Sequence, residues 1–208
     1  ILEDTFKDKN VLELGSYQWI NWIKDRVVPK KVTCINISQA ELEKGIKIAE
    51  DLPFEIDFQI MDANELEFPD ESFDVVYGGA ILHHLDIEKT LSQVHRVLKP
   101  NGSILFLEPL NMNPLYKIYR KRNPRERTPD EHALVQSDFK IIKERFTFEH
   151  HFFDFFTVIF GYLSLKLYGD KKHDNILNKL GHGIDVFVSK IPFLYVLFAR
   201  VMLFGRKK

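Results

Sequence analysis

Residues 9 to 110 predict an α/β fold, a parallel sheet with helices on both faces. Three observations carry this. Short apolar runs rich in β-branched residues alternate with amphipathic stretches of helical length. Turn residues separate them, as at Gly15, Pro29, Pro53 and the Lys-Pro-Asn-Gly run of 99–102. The alternation continues over several strand–helix units, which is the pattern of a sheet covered on both sides.

The elements follow in order. NVLEL is a short apolar strand ending at Gly15, and YQWINWIKDRVV has helical spacing and stops at Pro29. KVTCINI is a buried strand. SQAELEKGIKIAEDL opens with Ser38 as an N-cap and closes before Pro53. FEIDFQIM and SFDVVYGG supply the third and fourth strands. DIEKTLSQVHRVL is an amphipathic helix with Leu91, Val94, Val97 and Leu98 on one face, and SILFLEPL is a fifth strand. Beyond it, NPLYKIYRKRNPRERTPDEHAL reads as a long basic loop with one short helix near 115–120. FKIIKERFTF reads as a sixth strand, HFFDFFTVIFGYLSLKLY and HDNILNKLGHGIDVFVSK as helices, and ARVMLFGRKK as a seventh strand. The whole of 1–208 reads as a single domain: a core over 9–110, a loop region over 111–138, and last strands with inserted helices over 139–208.

Composition excludes several classes. A net charge of −1 provides no global field for nucleic acid. The single cysteine, Cys34, allows no internal disulfide and fits a reducing, cytoplasmic compartment. No Cys/His cluster has zinc spacing. The apolar tract 191–204 contains Pro192 and Arg200 and is too short and interrupted to span a bilayer. The first residues lack a signal-peptide pattern, and a start at Ile1 without methionine suggests a domain fused to upstream segments of a longer protein.

The blocks VLELG, INIS, MDANELEFPDESFDVVYGGAILHHL and VHRVLKPNGSILFLEP resemble class I S-adenosylmethionine-dependent methyltransferases of the small-molecule type. The resemblance covers roughly residues 9–110, and the order and spacing of its blocks are specific. It implies a Rossmann-like seven-stranded sheet, mostly parallel with the last strand antiparallel, and S-adenosyl-L-methionine as cofactor, leaving S-adenosyl-L-homocysteine as product. It further implies a cofactor site at the carboxyl ends of the strands, made from Glu13, Gly15, Ser16, Tyr17, Asn36, Ile37, Asp62, Ala63, Gly78 and Gly79. By resemblance Asp62 takes the adenine amino group, Ala63 offers its N–H, and Gly78 and Gly79 leave room for the methionine portion. Gly15 suits close backbone approach, and the following helix would offer its N-terminus to the polar end of the cofactor.

Two departures bear on affinity. The family's loop reads acid-x-Gly-x-Gly-x-Gly, but here Tyr17 and Trp19 replace the later glycines. The acid expected at the end of the second strand is Asn36. Charged hydrogen bonds contribute roughly 1.5–3 kcal/mol against about 1 for neutral ones, so weakened cofactor binding is expected.

For the methyl acceptor, the candidate catalytic residues are His84, Glu108, Asp130 and His132. An O-methyltransferase needs a base or hydrogen-bond acceptor at the hydroxyl, and a histidine can accept a proton near neutral pH. Within TPDEHAL, Thr128 or Asp130 would start a helix and His132 would project from its first turn. The paired Asp-Asn signature of metal-dependent catechol-type enzymes is absent, so no metal is expected. Lys117, Arg120, Lys121, Arg122, Arg125 and Arg127 form a basic cluster that reads as a solvated loop or as a seat for an anionic acceptor. Phe152, Phe153, Phe155, Phe156 and Phe160 read as core at helical spacing, and membrane contact is expected only if this phenylalanine-rich tail supplies it.

The favoured reading is therefore methyl transfer to a sugar hydroxyl of a glycan or another small molecule. The alternatives are a lipid or quinone acceptor, and a degenerate scaffold that has lost its cofactor. Nucleic acid is disfavoured, because no Asn-Pro-Pro-aromatic motif follows the fourth strand.

Overall fold

A computed structural model describes residues 2–15, 27–49, 52, 54–113, 132–169, 175–191 and 193–208. Its residues group into two compact units, one of Ile1–Leu107, Gln136–Glu149 and Leu203–Lys208, the other of Glu108–Val135 and His150–Met202.

The described elements are α1 (Leu2–Phe6), β1 (Asn10–Leu14), β2 (Lys31–Asn36), α2 (Gln39–Ala49), β3 (Glu55–Ile60), β4 (Phe73–Gly79), α3 (Ile87–Val97), β5 (Leu98–Pro109), α4 (Gln136–Arg145), β6 (Phe146–Phe153), α5 (Phe156–Tyr168), α6 (Ile176–Val188) and β7 (Arg200–Lys207). Short 3₁₀ turns lie at Leu82–His84 and Leu194–Leu197. The strands form one seven-stranded sheet in the order β3-β2-β1-β4-β5-β7-β6. The four pairs from β3 to β5 are parallel. Thr147 of β6 bonds to Arg206 of β7, while Asp154, just after β6, pairs with Arg200, so β7 runs against β6. The expected antiparallel last strand is thus present.

In the first unit the sequence pattern and the packing agree. Val11, Leu12, Leu14, Val32, Ile35, Val75, Val76, Ile104 and Phe106 are buried in the strands. Helix α3 buries Ile87, Leu91, Val94 and Val97 on one face, as its spacing predicts. Asp86 caps it by accepting from the Lys89 amide at 3.1 Å. Ser38 accepts from the Glu41 amide at 3.4 Å and caps α2. The Lys-Pro-Asn-Gly run interrupts the β4–β5 ladder between Phe73–Leu98 and Val75–Ser103, with Asn101 at φ 62°.

Three sequence expectations are corrected. FKIIKER is not strand but the body of α4. Ile142 is buried on its inner face, Asp138 lies in its first turn, and Lys143 and Arg145 lie in its last. That charge order suits the helix dipole, and the strand begins only at Phe146. Phe152 and Phe153 do not belong to a helix but end β6. Asp154 then adopts φ 69°, which breaks the strand before α5 starts at Phe156. His132 is not helical: residues 132–135 are extended or irregular, and Leu134 forms a parallel bridge to Leu110, while Thr128 and Asp130 lie outside the described residues. The helix expected over YQWINWIKDRVV lies outside the described residues except for Val27 and Val28, which are not helical, and the short one near 115–120 lies wholly outside them.

In the second unit, Phe152 packs on Tyr195 and Phe198, with ring centroids 5.6 and 6.1 Å apart. Arg200 lies over the Phe153 ring at 5.0 Å. Helices α5 and α6 form an antiparallel hairpin joined through residues 169–175.

Candidate active site

The parallel register brings the expected cofactor residues into line. Leu14 pairs with Ile35 and with Gly78, Asn36 with Ile60, and Gly79 with Leu107. The next row across the carboxyl ends is therefore Ile60, Asn36, Gly15 and Gly79. Side chains alternate along a strand, so Gly79 shares the face of Asn36 while Gly78 lies on the other. A Cβ on Gly78 would come within 2.6 Å of Ile81 and 2.9 Å of Phe106, so this glycine is demanded by packing inside the unit.

Gly15 adopts φ +96°, a conformation that strongly favours glycine. Its amide donates to the Ile35 carbonyl at 2.9 Å, and its own carbonyl accepts from Asn36 Nδ2 at 2.9 Å. Asn36 Oδ1 in turn accepts from the Ser38 amide at 2.9 Å. Asn36 is thus a two-ended clamp joining the glycine turn to the start of α2. An ionised aspartate could accept from Ser38 but could not donate to Gly15. The substitution that looked like a lost ribose ligand has a structural task of its own.

Glu13 is fully buried two residues before Gly15 and faces its register partner Cys34. Burial, and then the neighbouring Glu13 carboxylate, push the Cys34 thiol far above its ordinary pKa. Such a thiol is chemically inert.

Past β3, the Met61 amide donates to the Asn36 carbonyl at 3.2 Å, and the chain then turns at Asp62. Asp62 Oδ1 accepts from the Asn64 amide at 2.8 Å, leaving an exposed carboxylate, while Ala63 is buried. Two isoleucines project into solvent beside it: Ile37 is 75% exposed and Ile60 63%. Ile60 was not singled out from the sequence; the signal was an isoleucine ending an alternating strand just before the acid. Exposed apolar side chains flanking a carboxylate suit a flat heteroaromatic ring bearing an amine.

The loop that carries Asp62 is held by a set of exposed and part-buried polar bonds. Asn64 Oδ1 accepts from the Asp86 amide at 3.0 Å and from Thr90 Oγ1 at 2.8 Å. Arg96 donates to the carbonyls of Leu66 at 2.6 Å and Phe68 at 2.7 Å, and pairs with Asp70 at 2.8 Å. Ile81 folds back over the strand ends, so that a Cβ on Gly15 would approach it to 3.0 Å.

His83 and His84 form the 3₁₀ turn after β4, with ring centroids 4.0 Å apart. His83 is buried and His84 exposed, which leaves His84 as the histidine accessible to a ligand. Glu108 is fully buried in β5, and His132 is exposed; both belong to the second unit. Ser16, Tyr17, Trp19, Asp130 and the basic cluster lie outside the described residues.

Comparison with known proteins agrees with this geometry. Residues 12–106 match the family described as a methyltransferase domain. The glycine/sarcosine/dimethylglycine N-methyltransferase of Actinopolyspora halophila is 33% identical over 111 residues, which is 51% of this chain and 20% of that protein. The demethylmenaquinone methyltransferase of Symbiobacterium thermophilum is 40% identical over 81 residues, 38% of this chain and 32% of that one. This chain therefore spans a fifth to a third of the length of these curated relatives. In fold it is similar to the geranyl diphosphate C-methyltransferase of Streptomyces coelicolor, solved with Mg²⁺, geranyl diphosphate and S-adenosyl-L-homocysteine. The TM-score is 0.68 at 13% identity, over 100% of this chain and 77% of that one.

Proposed function

We propose that this chain, whose residues 12–106 match a methyltransferase-domain family, is a class I S-adenosylmethionine-dependent enzyme that transfers a methyl group to a small-molecule acceptor. The observation that carries this reading is the row Ile60, Asn36, Gly15 and Gly79, with the exposed Asp62 carboxylate just beyond it. The residues fit the cofactor. Gly15 and Gly79 leave the strand ends free of side chains, Ile37 and Ile60 offer apolar faces to a purine, and Asp62 offers an acceptor to its amine. Bound S-adenosylmethionine would supply an electrophilic methyl group on a sulfonium.

The chain's own task is to hold, orient and deprotonate. The clamp of Asn36 on Gly15 and Ser38 fixes the turn beside the row before any ligand arrives. Asn64 and Arg96 fix the loop that presents Asp62. On the acceptor side, an imidazole nitrogen of the exposed His84 would take the hydroxyl proton as the oxygen is methylated.

A histidine base supports a hydroxyl acceptor, with a glycan sugar as the first class to test. An apolar acceptor such as a quinone is the second reading. It is favoured by the demethylmenaquinone methyltransferase among the relatives and by the exposed apolar helices of the second unit.

Calorimetric titration with S-adenosylmethionine and S-adenosylhomocysteine tests the cofactor. The expected result is saturable one-to-one binding, weakened about tenfold or more in Asp62→Ala. A folded protein that binds neither at millimolar concentration overturns the reading and leaves the scaffold alternative. Labelled-methyl transfer to sugar and quinone panels, with His84→Ala beside the parent, then separates the acceptor classes.

A further inference from the structure

The hairpin of α5 and α6 is polar inside and apolar outside. Among its described residues the buried ones are Ser164, Gly181 and Asp185. Asn175 donates to the Ser164 hydroxyl across the hairpin. A Cβ on Gly181 would lie 3.0 Å from Phe156 O, Phe160 Cβ and Thr157 Cα, so the helices touch where a side chain is missing. Asp185 accepts from the amides of Phe155, Phe156 and Thr157 at 3.3, 2.8 and 3.1 Å and from Thr157 Oγ1 at 2.7 Å. Small and polar residues at the helix interface are how helix pairs are built in lipid, where apolar burial between helices gives no advantage.

The outer surface completes the pattern. Val158, Ile159, Leu163, Leu165 and Leu167 on α5 are exposed, as are Ile176, Leu180, Val186 and Phe187 on α6 and Phe193 beyond it. Leu167 and Phe187 are each 69% exposed and Phe193 81%. Scattered exposed apolar residues are ordinary, but so many on one helix pair are not. Tyr162 and Tyr168 join them, a residue type enriched where membrane meets water. The exposed charges on the described hairpin are Lys166, Lys179 and Lys190, all cations, and its one described carboxylate, Asp185, is buried. The intervening 170–174 run holds two lysines and two aspartates in the sequence. No described helix is long and apolar enough to cross a membrane, and each of these two has 13 residues.

We propose that the α5–α6 hairpin is a docking surface for the face of an anionic lipid bilayer, lying in its interface with the leucines and phenylalanines in the acyl region and the lysines among the headgroups. This surface is independent of the acceptor: the hairpin has a polar interior, an apolar exterior and, among its described residues, exposed charge of one sign.

Vesicle flotation of the full chain tests it, with phosphatidylcholine alone and with phosphatidylcholine mixed with phosphatidylglycerol. Flotation is expected with the mixed vesicles. The double variant Leu167→Glu/Phe187→Glu should lower partitioning by about a hundredfold, since each residue gives up most of the apolar transfer energy of its side chain. Lys166→Glu/Lys190→Glu should lower it on mixed vesicles by roughly fivefold per lysine and leave phosphatidylcholine nearly unchanged. Circular dichroism and melting serve as fold controls, because these side chains touch solvent. Failure of the folded parent to float overturns the proposal, as does flotation that survives the leucine–phenylalanine variant. Sedimentation of a dimer that this variant dissolves, with no flotation of the parent, assigns the face instead to a second copy. Cofactor titration is read separately, so failure there leaves this result standing.

Discussion

In the half-sheet of residues 10–107 the interior is mainly apolar, as at Val11, Leu12, Leu14, Val76, Leu91 and Phe106, and the polar groups of the candidate site lie at the strand ends. Between α5 and α6 the interior is Ser164, Gly181 and Asp185, and the apolar groups lie outside. The two regions are held together by different forces. The first is stabilised by burial of apolar area, the second by a few buried hydrogen bonds and one close backbone approach. Substitutions of the same kind should therefore have opposite consequences in the two places.

The largest effects are expected where each interior is breached. Leu91→Ala in α3 should cost about 2–5 kcal/mol, because the side chain is fully buried. Asp185→Ala should cost about 3 kcal/mol, although it removes almost no apolar area. Phe155 cannot cap α5 with its own side chain, and the variant strands the three amides that Asp185 serves. Urea denaturation of both variants checks this. A loss below about 1 kcal/mol in Asp185→Ala would mean that water caps the helix and that the hairpin has no polar keystone.

Legibility differed between the regions for the same reason. In the half-sheet, apolar spacing decides burial, so β1 to β5, α2 and α3 could be read directly, as could the cap at Ser38. The glycine and acid positions at the strand ends were legible too, because register follows from the strands. The role of Asn36 was not, since its bonds to Gly15 and Ser38 depend on where β1 ends in space. In the second half, FKIIKERFTF mixes two periods within ten residues, and the helix-to-strand change at Phe146 is set by tertiary packing. The capping of α5 by a residue 30 positions away leaves no local signal at Phe155.

An intermediate effect should come from Asn36→Asp. The variant restores the acid that the resemblance leads one to expect, but it sets two oxygens against each other at the Gly15 carbonyl. The expected outcome is a loss of about 1–2 kcal/mol in stability and weaker, not tighter, binding of S-adenosylhomocysteine. Calorimetry decides between the two tasks. A tenfold gain in affinity would show that residue 36 acts chiefly as a ligand and that the clamp is dispensable.

A smaller effect belongs to Asp74, whose carboxylate accepts from the Asn10 amide and pairs with Lys99, both at 2.9 Å. Burial acts to raise its pKa, but the bonds to Lys99 and Asn10 and the nearby Lys9 outweigh it and hold the group below the usual carboxylate value. Its stabilisation is therefore complete above the unfolded value near 4 and is lost as pH falls through the lower folded value. Asp74→Asn should cost about 1 kcal/mol at neutral pH, since the Lys99 pair is partly exposed, and the gap to the parent should close in acid. A gap that persists once the carboxylate is protonated in the folded parent would assign the cost to packing instead of charge.

The smallest expected effect carries the most information about the comparison. Leu167→Gln on the outer face of α5 should leave stability within about 0.5 kcal/mol, because the side chain is already mostly in water in the folded chain. Glutamine is also nearly as good a helix former as leucine. The same exchange at Leu91 would bury an unpaired amide and should unfold the first unit. If melting in buffer shows Leu167→Gln to be as costly as a core substitution, the apolar face is covered in the isolated chain, and the inside-out description of the hairpin fails. If it is neutral in buffer yet removes the extra thermal stability that anionic vesicles should confer on the parent, the apolar exterior contributes little to folding and its use is at the lipid surface.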